Sequence, residues 1–192
     1  MILAYVVIAA VVIGYLRGGR LRRYEKRPLR WVALPLLAFL IEAMYDRLAQ
    51  LFGVSTNSIL PYAVSLQYAL LLLFCAVNIR RRGMALVLGG TALNLLVISM
   101  NGFRMPVSES IRQMPQLAQL VERIDSGALA EYVICGRGAP LWFLGDVMQL
   151  PFLPNGLASV GDLLLGAGVF WLVTDIMMGD SWFRRPRHRK SQ

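Results

Sequence analysis

The chain has 192 residues, of which 57% are apolar and 16% are charged, and its mean hydropathy is +0.56. Soluble domains usually carry about 45–50% apolar and about 25% charged residues, so the composition argues against a soluble domain and excludes a disordered chain. Two cysteines are too few for a disulfide framework or a multi-cysteine zinc site. These numbers favour an integral membrane protein.

The apolar residues fall into five stretches, and a membrane-spanning helix needs about 20 residues, with roughly 17–25 tolerated. We therefore predict an all-α polytopic bundle that forms a single membrane domain over residues 1–182, followed by a basic tail at 183–192. In the first stretch the positive charges come after the apolar residues, which is typical of a retained anchor rather than a cleaved signal peptide. The predicted spans are residues 1–18, 31–52, 61–79, 84–100 and 157–178.

Basic residues predict the orientation of these spans. Of 20 Lys and Arg, seven lie in the first connection (17–30), three in the third (80–82) and five in the tail. Because short basic loops stay in the cytoplasm, we expect an inner-membrane protein with its N-terminus outside and its C-terminus inside. The cations then contact anionic membrane lipids, and the net charge of +9 does not indicate a nucleic-acid partner.

The segment between the fourth and fifth spans, residues 101–156, is too long for a featureless loop. Apolar residues at helical spacing after Pro115, and Gly127 as a stop signal, predict an amphipathic outer helix. Ser108 is a suitable cap for a shorter turn before it. The stretch Leu141–Leu153 is apolar nearly all round but too short to span a bilayer, so we expect an interfacial or re-entrant segment.

Polar side chains are concentrated in the predicted outer half of the bundle. From the span starts, Glu42 and Asn94 lie about 16 Å and about 15 Å along their helices, close to mid-bilayer. An ionisable group in hydrocarbon costs about 2.5–3.5 kcal/mol and indicates either a functional site or an ion-pair network. The candidate ligand-binding residues of an outward-facing vestibule are Glu42, Asp46, Arg47, Asn94, Asn101, Arg104 and Asp162.

The alternative to a vestibule is a satisfied network that fixes helix register, with Glu42 or Asp46 paired to Arg47 or Arg104. Asp146 and Asp162, each preceded by glycine, are weak candidates for a catalytic aspartate dyad. A helix cap after a glycine turn explains each pair without chemistry. The only histidine, His188, lies in the basic tail, which argues against histidine-based catalysis, and no metal ligand set or cofactor is predicted.

Three sequence blocks resemble an uncharacterised family of small bacterial integral membrane proteins, a domain of unknown function. Residues 101–108 (NGFRMPVS) match its Asn-Gly-x-x-Met-Pro-Val-Ser signature, and residues 141–151 and 159–162 continue the similarity. The sequence Arg17-Gly18-Gly19 after the first span also resembles this family. The resemblance implies a multi-pass topology without an activity, and it points to Asn94, Asn101, Arg104, Asp146 and Asp162.

Three hypotheses of function follow. The first is a non-enzymatic membrane protein that binds a small ligand, an ion or a lipid headgroup in the outer vestibule. The second is a structural or regulatory subunit that docks a partner membrane protein through the outer helices or through a stripe of small residues, Ala10, Gly14 and Gly18. The third is an intramembrane hydrolase that uses Asp146 and Asp162.

Overall fold

A computed structural model of the chain describes residues 2–21, 28–150 and 156–178. The predicted basic tail at 183–192 lies outside the described residues. The helices of the described chain are α1 (Ile2–Leu16), α2 (Ala33–Leu51), α3 (Thr56–Val77), α4 (Met84–Met100), α5 (Ala118–Asp125) and α6 (Val160–Met178). The short strands are β1 (Met105–Ser108), β2 (Tyr132–Cys135), β3 (Met148–Gln149) and β4 (Leu157–Ala158).

Each of the five predicted apolar stretches contains one helix, and two of these helices, α3 and α6, are long and apolar enough to cross a membrane. The helices α1 and α4 are apolar but shorter. Two helices begin at other residues than the predicted spans. Helix α3 begins at Thr56 rather than at residue 61, so Pro61 lies inside the helix. Helix α6 begins at Val160 rather than at residue 157, because residues 157–158 pair as strand β4.

The five long helices form an open ring in the order α1, α6, α4, α3 and α2. Among the described residues α1 packs on α6 and α2 packs on α3, and α1 and α2 do not pack closely on each other. Glycines allow the closest crossing, between α4 and α6: a Cβ on Gly90 would lie 2.7 Å from the backbone nitrogen of Leu165. In α1, a Cβ on Gly14 would lie 2.5 Å from the Met177 sulfur, so this part of the small-residue stripe packs inside the same chain.

The loops at one end of the ring are rich in arginine, and we call it the basic end. The backbone N–H of Arg20 donates to Met177 O, which joins the ends of α1 and α6. Asn78 accepts from the backbone N–H of Arg30 and donates to its carbonyl, which joins the α1–α2 connection to the end of α3. At the same end Arg82 forms an ion pair with Asp175 at 3.2 Å.

The described residues of the segment 101–159, namely 101–150 and 156–159, cover the opposite end, which we call the acidic end. The prediction of an all-α chain was wrong here, since β1 and β2 pair in parallel, with Met105 opposite Tyr132 and Ser108 opposite Cys135. A parallel pair needs a crossover connection, and here the connection contains α5. Both strands are extended because β-branched and aromatic residues favour the pleated backbone and because Pro106 lacks the N–H that a helix interior needs.

The crossover is helical where the sequence predicted helix. Ser108 caps a 3₁₀ turn at Glu109–Gln113 by accepting from the backbone N–H of Ser110. A second 3₁₀ turn over Pro115–Leu117 leads directly into α5, and Gly127 follows with φ +76°. The apolar faces of these elements pack on β1 and form a small separate core. Its buried members are Val107, Ile111, Leu117 and Ile124.

Hydropathy predicts an interfacial or re-entrant segment at 141–153. The described part of this segment is not one continuous apolar helix. Residues Trp142–Leu144 form one 3₁₀ turn, and β3 pairs antiparallel with β4. Between them the backbone N–H of Asp146 donates to Pro106 O at 2.8 Å, which places residue 146 beside β1. Residues 151–155 lie outside the described chain.

Candidate functional site

A cavity of about 360 Å³ lies inside the open ring and beneath the 101–159 cover. Its volume is within the range of about 300–1,000 Å³ that is usual for small-molecule sites. All five ring helices contribute to its lining, together with β1 and β2. We call it the central cavity. Its polar and aromatic lining near the acidic end consists of Glu42, Tyr45, Gln67, Tyr68, Asn94, Glu131, Tyr132, Asp146 and Asp162.

Asp162 is held rigidly at the first turn of α6. Ser159 precedes that helix, its hydroxyl accepts from the backbone N–H of Asp162, and its own N–H donates to Asp162 Oδ2. This reciprocal arrangement is a capping box, which satisfies backbone donors at a helix start. Asn94 completes the cluster: its Nδ2 donates to Asp162 Oδ1 at 2.9 Å, and its Oδ1 accepts from Ser159 Oγ at 3.0 Å. Both carboxylate oxygens of Asp162 therefore have neutral partners.

Asp146 approaches the same cluster from the 101–159 cover. Its backbone is hydrogen-bonded on both sides to β1, and Gly145 before it packs directly on that strand. A Cβ on Gly145 would lie 2.8 Å from Pro106 Cγ and even closer to the Pro106 carbonyl oxygen. Glycine at 145 thus lets residue 146 enter the cavity. The expectation that Asp146 is a helix cap was wrong, because Asp146 forms a bridge with Val107 and is followed by strand β3 rather than by a helix.

The carboxyl of Asp146 is 8% exposed, and its Oδ1 has no hydrogen-bond partner within the described part of the chain. Burial, and then the charge of Asp162, raise the pKa of Asp146 from 3.8 to about 7. The two carboxyls lie close enough for a protonated Asp146 to donate a hydrogen bond to Asp162. Burial and the neighbouring Asp146 and Glu131 also raise the pKa of Tyr132. The acids at this end of the cavity therefore lie close enough to favour the protonated forms of Asp146 and Tyr132.

Two further acids line the central cavity. Glu42 Oε2 accepts from Gln67 Nε2 at 2.9 Å, which links α2 to α3. Glu131 Oε2 accepts from the Tyr45 hydroxyl at 2.6 Å, which fastens the end of β2 to α2. Among the described residues that line this cavity there is no Lys, Arg or His. Hydrogen bonds to Glu42, Glu131 and Asp162 come from amides and hydroxyls, whereas no described group donates to Asp146 Oδ1.

A second cavity of about 520 Å³ meets the first at the acid cluster. It lies between α1, α5 and α6 and has Arg123 in its lining. Both cavities touch Glu131, Tyr132, Asp146 and Asp162. The acid cluster consequently lies at the junction of the two spaces.

The structure brings together only some of the predicted site residues. Glu42, Asn94, Asp146 and Asp162 all line the central cavity, whereas Asp46, Arg47, Asn101 and Arg104 are absent from the lining of either cavity described above. Asp46 and Arg47 are exposed on α2.

Asn101 and Arg104 instead connect the cover to the ring. Asn101 donates to Val97 O at the end of α4 and to Pro140 O, and Arg104 donates to Asn57 Oδ1 at 2.7 Å. The alternative pairing of Glu42 with Arg47 or Arg104 is not the one observed, because Glu42 bonds to Gln67.

Glu131, Tyr45, Tyr68 and Tyr132 are cavity residues that sequence reasoning missed. No motif surrounds Glu131, and its position follows from the parallel pairing of β1 with β2, which the chain pattern does not reveal. The tyrosines carried a usable signal, since buried Tyr usually finds a polar partner. Across residues 2–21, 28–150 and 156–178, no group of three or more His, Cys, Asp and Glu side chains is arranged to hold a metal ion.

These observations define a mostly helical protein with two helices able to cross a membrane and an acidic cavity closed by a small α/β cover. Residues 26–174 match the model of a family of unknown function, DUF5317, and the chain belongs to that family. No curated protein and no solved structure matches the chain.

Proposed function

We propose that this protein is a five-span membrane protein of the cell's inner membrane that binds a small ligand in its central cavity. The observation that carries this proposal is the buried Asp146, which lines a preformed cavity and has one carboxyl oxygen without a hydrogen-bond partner in the described chain. Leaving a buried acceptor without a partner costs about 1–3 kcal/mol, and a bound ligand offsets that cost. In the proposed topology the basic end faces the cytoplasm and the acidic end faces outward.

Native mass spectrometry of the purified, detergent-released protein tests ligand binding. We expect a bound small molecule on the wild type and its loss from Asp146→Asn, which removes the carboxyl charge and replaces one carboxyl oxygen by an NH2 donor but keeps the size of the side chain. Asp46→Asn is the matched control, because it removes the same charge from an exposed position outside the cavity lining. Identical spectra for the wild type and Asp146→Asn would contradict the proposal.

Cysteine labelling tests the topology. In a background with Cys75 and Cys135 replaced by serine, Gly138→Cys places a thiol on the cover and Ile79→Cys places one at the basic end without removing an arginine. Both positions are exposed. A membrane-impermeant maleimide added to intact cells should label residue 138 and leave residue 79 unlabelled until the cells are lysed. The opposite pattern would overturn the proposed orientation.

The carboxyl pair also supports a second candidate, an aspartate-dependent hydrolase. Burial favours a protonated Asp146, and next to it lies Asp162, which accepts hydrogen bonds from Asn94 and from the Ser159 N–H. Two neighbouring acids in opposite protonation states are the arrangement needed to activate a water and protonate a leaving group. Wild-type cleavage of a fluorogenic membrane peptide, abolished equally by Asp146→Asn and Asp162→Asn, would establish this activity. Absence of cleavage leaves the binding proposal in place.

A further inference from the structure

The central cavity changes in polarity along its length. Its lining toward the basic end is apolar, as the positions of Pro35 and Phe39 on α2 and of Phe74 on α3 show. Val87 and Val169 complete this half. Along α2 the first acid, Glu42, lies seven residues beyond Pro35, about 10 Å farther toward the acidic end. An occupant that fits both halves has an apolar tail and a polar head.

The charged residues at the acidic end determine which charge the polar head of the occupant must carry. Glu42, Glu131, Asp146 and Asp162 all line the cavity, and no described basic side chain lines it with them. Tyr45, Tyr68 and Tyr132 provide aromatic rings around the same space, and such rings attract a cation that lies over their faces. A carboxylate or phosphate head would be repelled here, whereas a cationic head would be attracted.

The unpartnered oxygen of Asp146 identifies the type of cation. When Asp146 is ionised, as at pH 8, both its oxygens are acceptors, so the unpartnered one is satisfied by a ligand that brings a donor. A protonated primary amine brings three N–H donors, whereas a trimethylammonium head carries the same charge without any. Access from the side is available because α1 and α2 are not closely packed on each other.

We propose that the central cavity binds a protonated amine carried on an apolar chain, with the ammonium group hydrogen-bonded to Asp146 and the chain lying in the apolar half between α2, α3 and α6. This inference rests on the proposed ligand-binding function. The amine belongs either to a free alkylamine or to the headgroup of an aminolipid that enters between α1 and α2.

Calorimetric titration with four short probes tests each part of the ligand. Hexylammonium has the charge, the N–H donors and the tail, whereas hexyltrimethylammonium lacks the donors, methylammonium lacks the tail and 1-hexanol lacks the charge. The protein is the full chain in a neutral maltoside detergent at pH 8. Hexylammonium should bind at least tenfold more tightly than each of the other three. Equal or tighter binding of any of them would overturn the assignment.

Variants locate the site of binding. Asp146→Asn should weaken hexylammonium binding at least tenfold, and Asp46→Asn should leave it unchanged. Leu71→Trp, which enlarges a side chain in the apolar half, should weaken hexylammonium but not methylammonium. Circular dichroism and gel filtration must match the wild type for each variant. Unchanged binding by a folded Asp146→Asn protein would contradict the inference.

An additional experiment with lipids distinguishes the two sources of the amine. In nanodiscs made from phosphatidylethanolamine and phosphatidylcholine with identical acyl chains, selective retention of phosphatidylethanolamine assigns the amine to a lipid. Hexylammonium binding without lipid selectivity assigns it to a free amine. If native mass spectrometry instead finds an Asp146-dependent molecule that is neutral or anionic, the binding function stands and this inference falls.

Discussion

The two ends of the helix ring satisfy their polar groups in different ways. At the basic end the acid Asp175 lies 3.2 Å from Arg82, and the Asn78 amide is bonded to backbone. Neither of the two cavities described above reaches the loops of this end. At the acidic end four carboxyls share one cavity with amides, hydroxyls and each other. The comparison indicates that the acidic end retains unneutralised charge, which is unfavourable for folding alone but suited to binding.

The largest effect should come from Asp146→Asn. Because the folded-state pKa of Asp146 is raised from 3.8 to about 7, the folded protein binds the proton more tightly than the unfolded chain. The stabilising proton is fully present below about pH 4 and is lost as the pH rises through 7. Asparagine does not titrate, so at pH 9 the variant should be more stable than the wild type by up to about 4 kcal/mol.

Thermal unfolding in detergent, followed by tryptophan fluorescence at pH 4 to 9, measures this difference. The gain in stability of Asp146→Asn should grow with pH and level off above about pH 8. The acids that face Asp146 are Asp162 on α6 and Glu131 at β2, and Tyr132 lies beside them. A pH-independent difference would show that the Asp146 carboxyl is not desolvated in the folded protein.

The sequence predicted the helical ring better than the cover. Each apolar stretch contains a helix, because hydropathy is a local property of the sequence. Glu42, Asn94 and Asp162 were predicted as site residues because polar side chains stand out inside such stretches, and all three line the central cavity. Asp46 and Arg47 satisfied the same criterion yet line neither cavity, since depth along a helix does not fix which face a residue occupies. Glu131 depends on the pairing of β1 with β2, a contact across 26 or 27 residues that no local pattern encodes.

The next largest effect should come from Gly145→Ala in the cover. The added methyl group would overlap Pro106, so β1 or residue 146 must shift, and overpacking of this kind costs about 1–3 kcal/mol. Gly138→Ala is the control, because nothing lies within 4 Å of its added Cβ. We expect lower thermal stability and weaker ligand binding for Gly145→Ala alone. Equal behaviour of the two variants would show that the close contact between residue 145 and β1 does not position Asp146.

Adjacent glycines in α4 offer a similar comparison within the ring. A Cβ on Gly90 would lie 2.7 Å from Leu165 N, whereas one on Gly89 would meet nothing within 4 Å. Gly90→Ala should lower the free energy of unfolding by about 1–3 kcal/mol. Gly89→Ala should raise it by up to about 1 kcal/mol, because alanine favours a helix. If both variants gained stability in chemical denaturation, the close α4–α6 crossing would be wrong.

The smallest effect should come from the basic end, where Arg82→Gln removes the charge that faces Asp175. The Arg82 side chain is 45% exposed, and ion pairs near a surface contribute about 0–1 kcal/mol because solvent and salt screen them. We therefore expect a loss of at most about 1 kcal/mol that shrinks further in 1 M salt. Ligand binding should not change, because Arg82 does not line the central cavity. A loss comparable to the gain from Asp146→Asn would mean that the pairing of Asp175 affects stability as much as the burial of Asp146, and the contrast between a paired acid and an unpaired acid would fail.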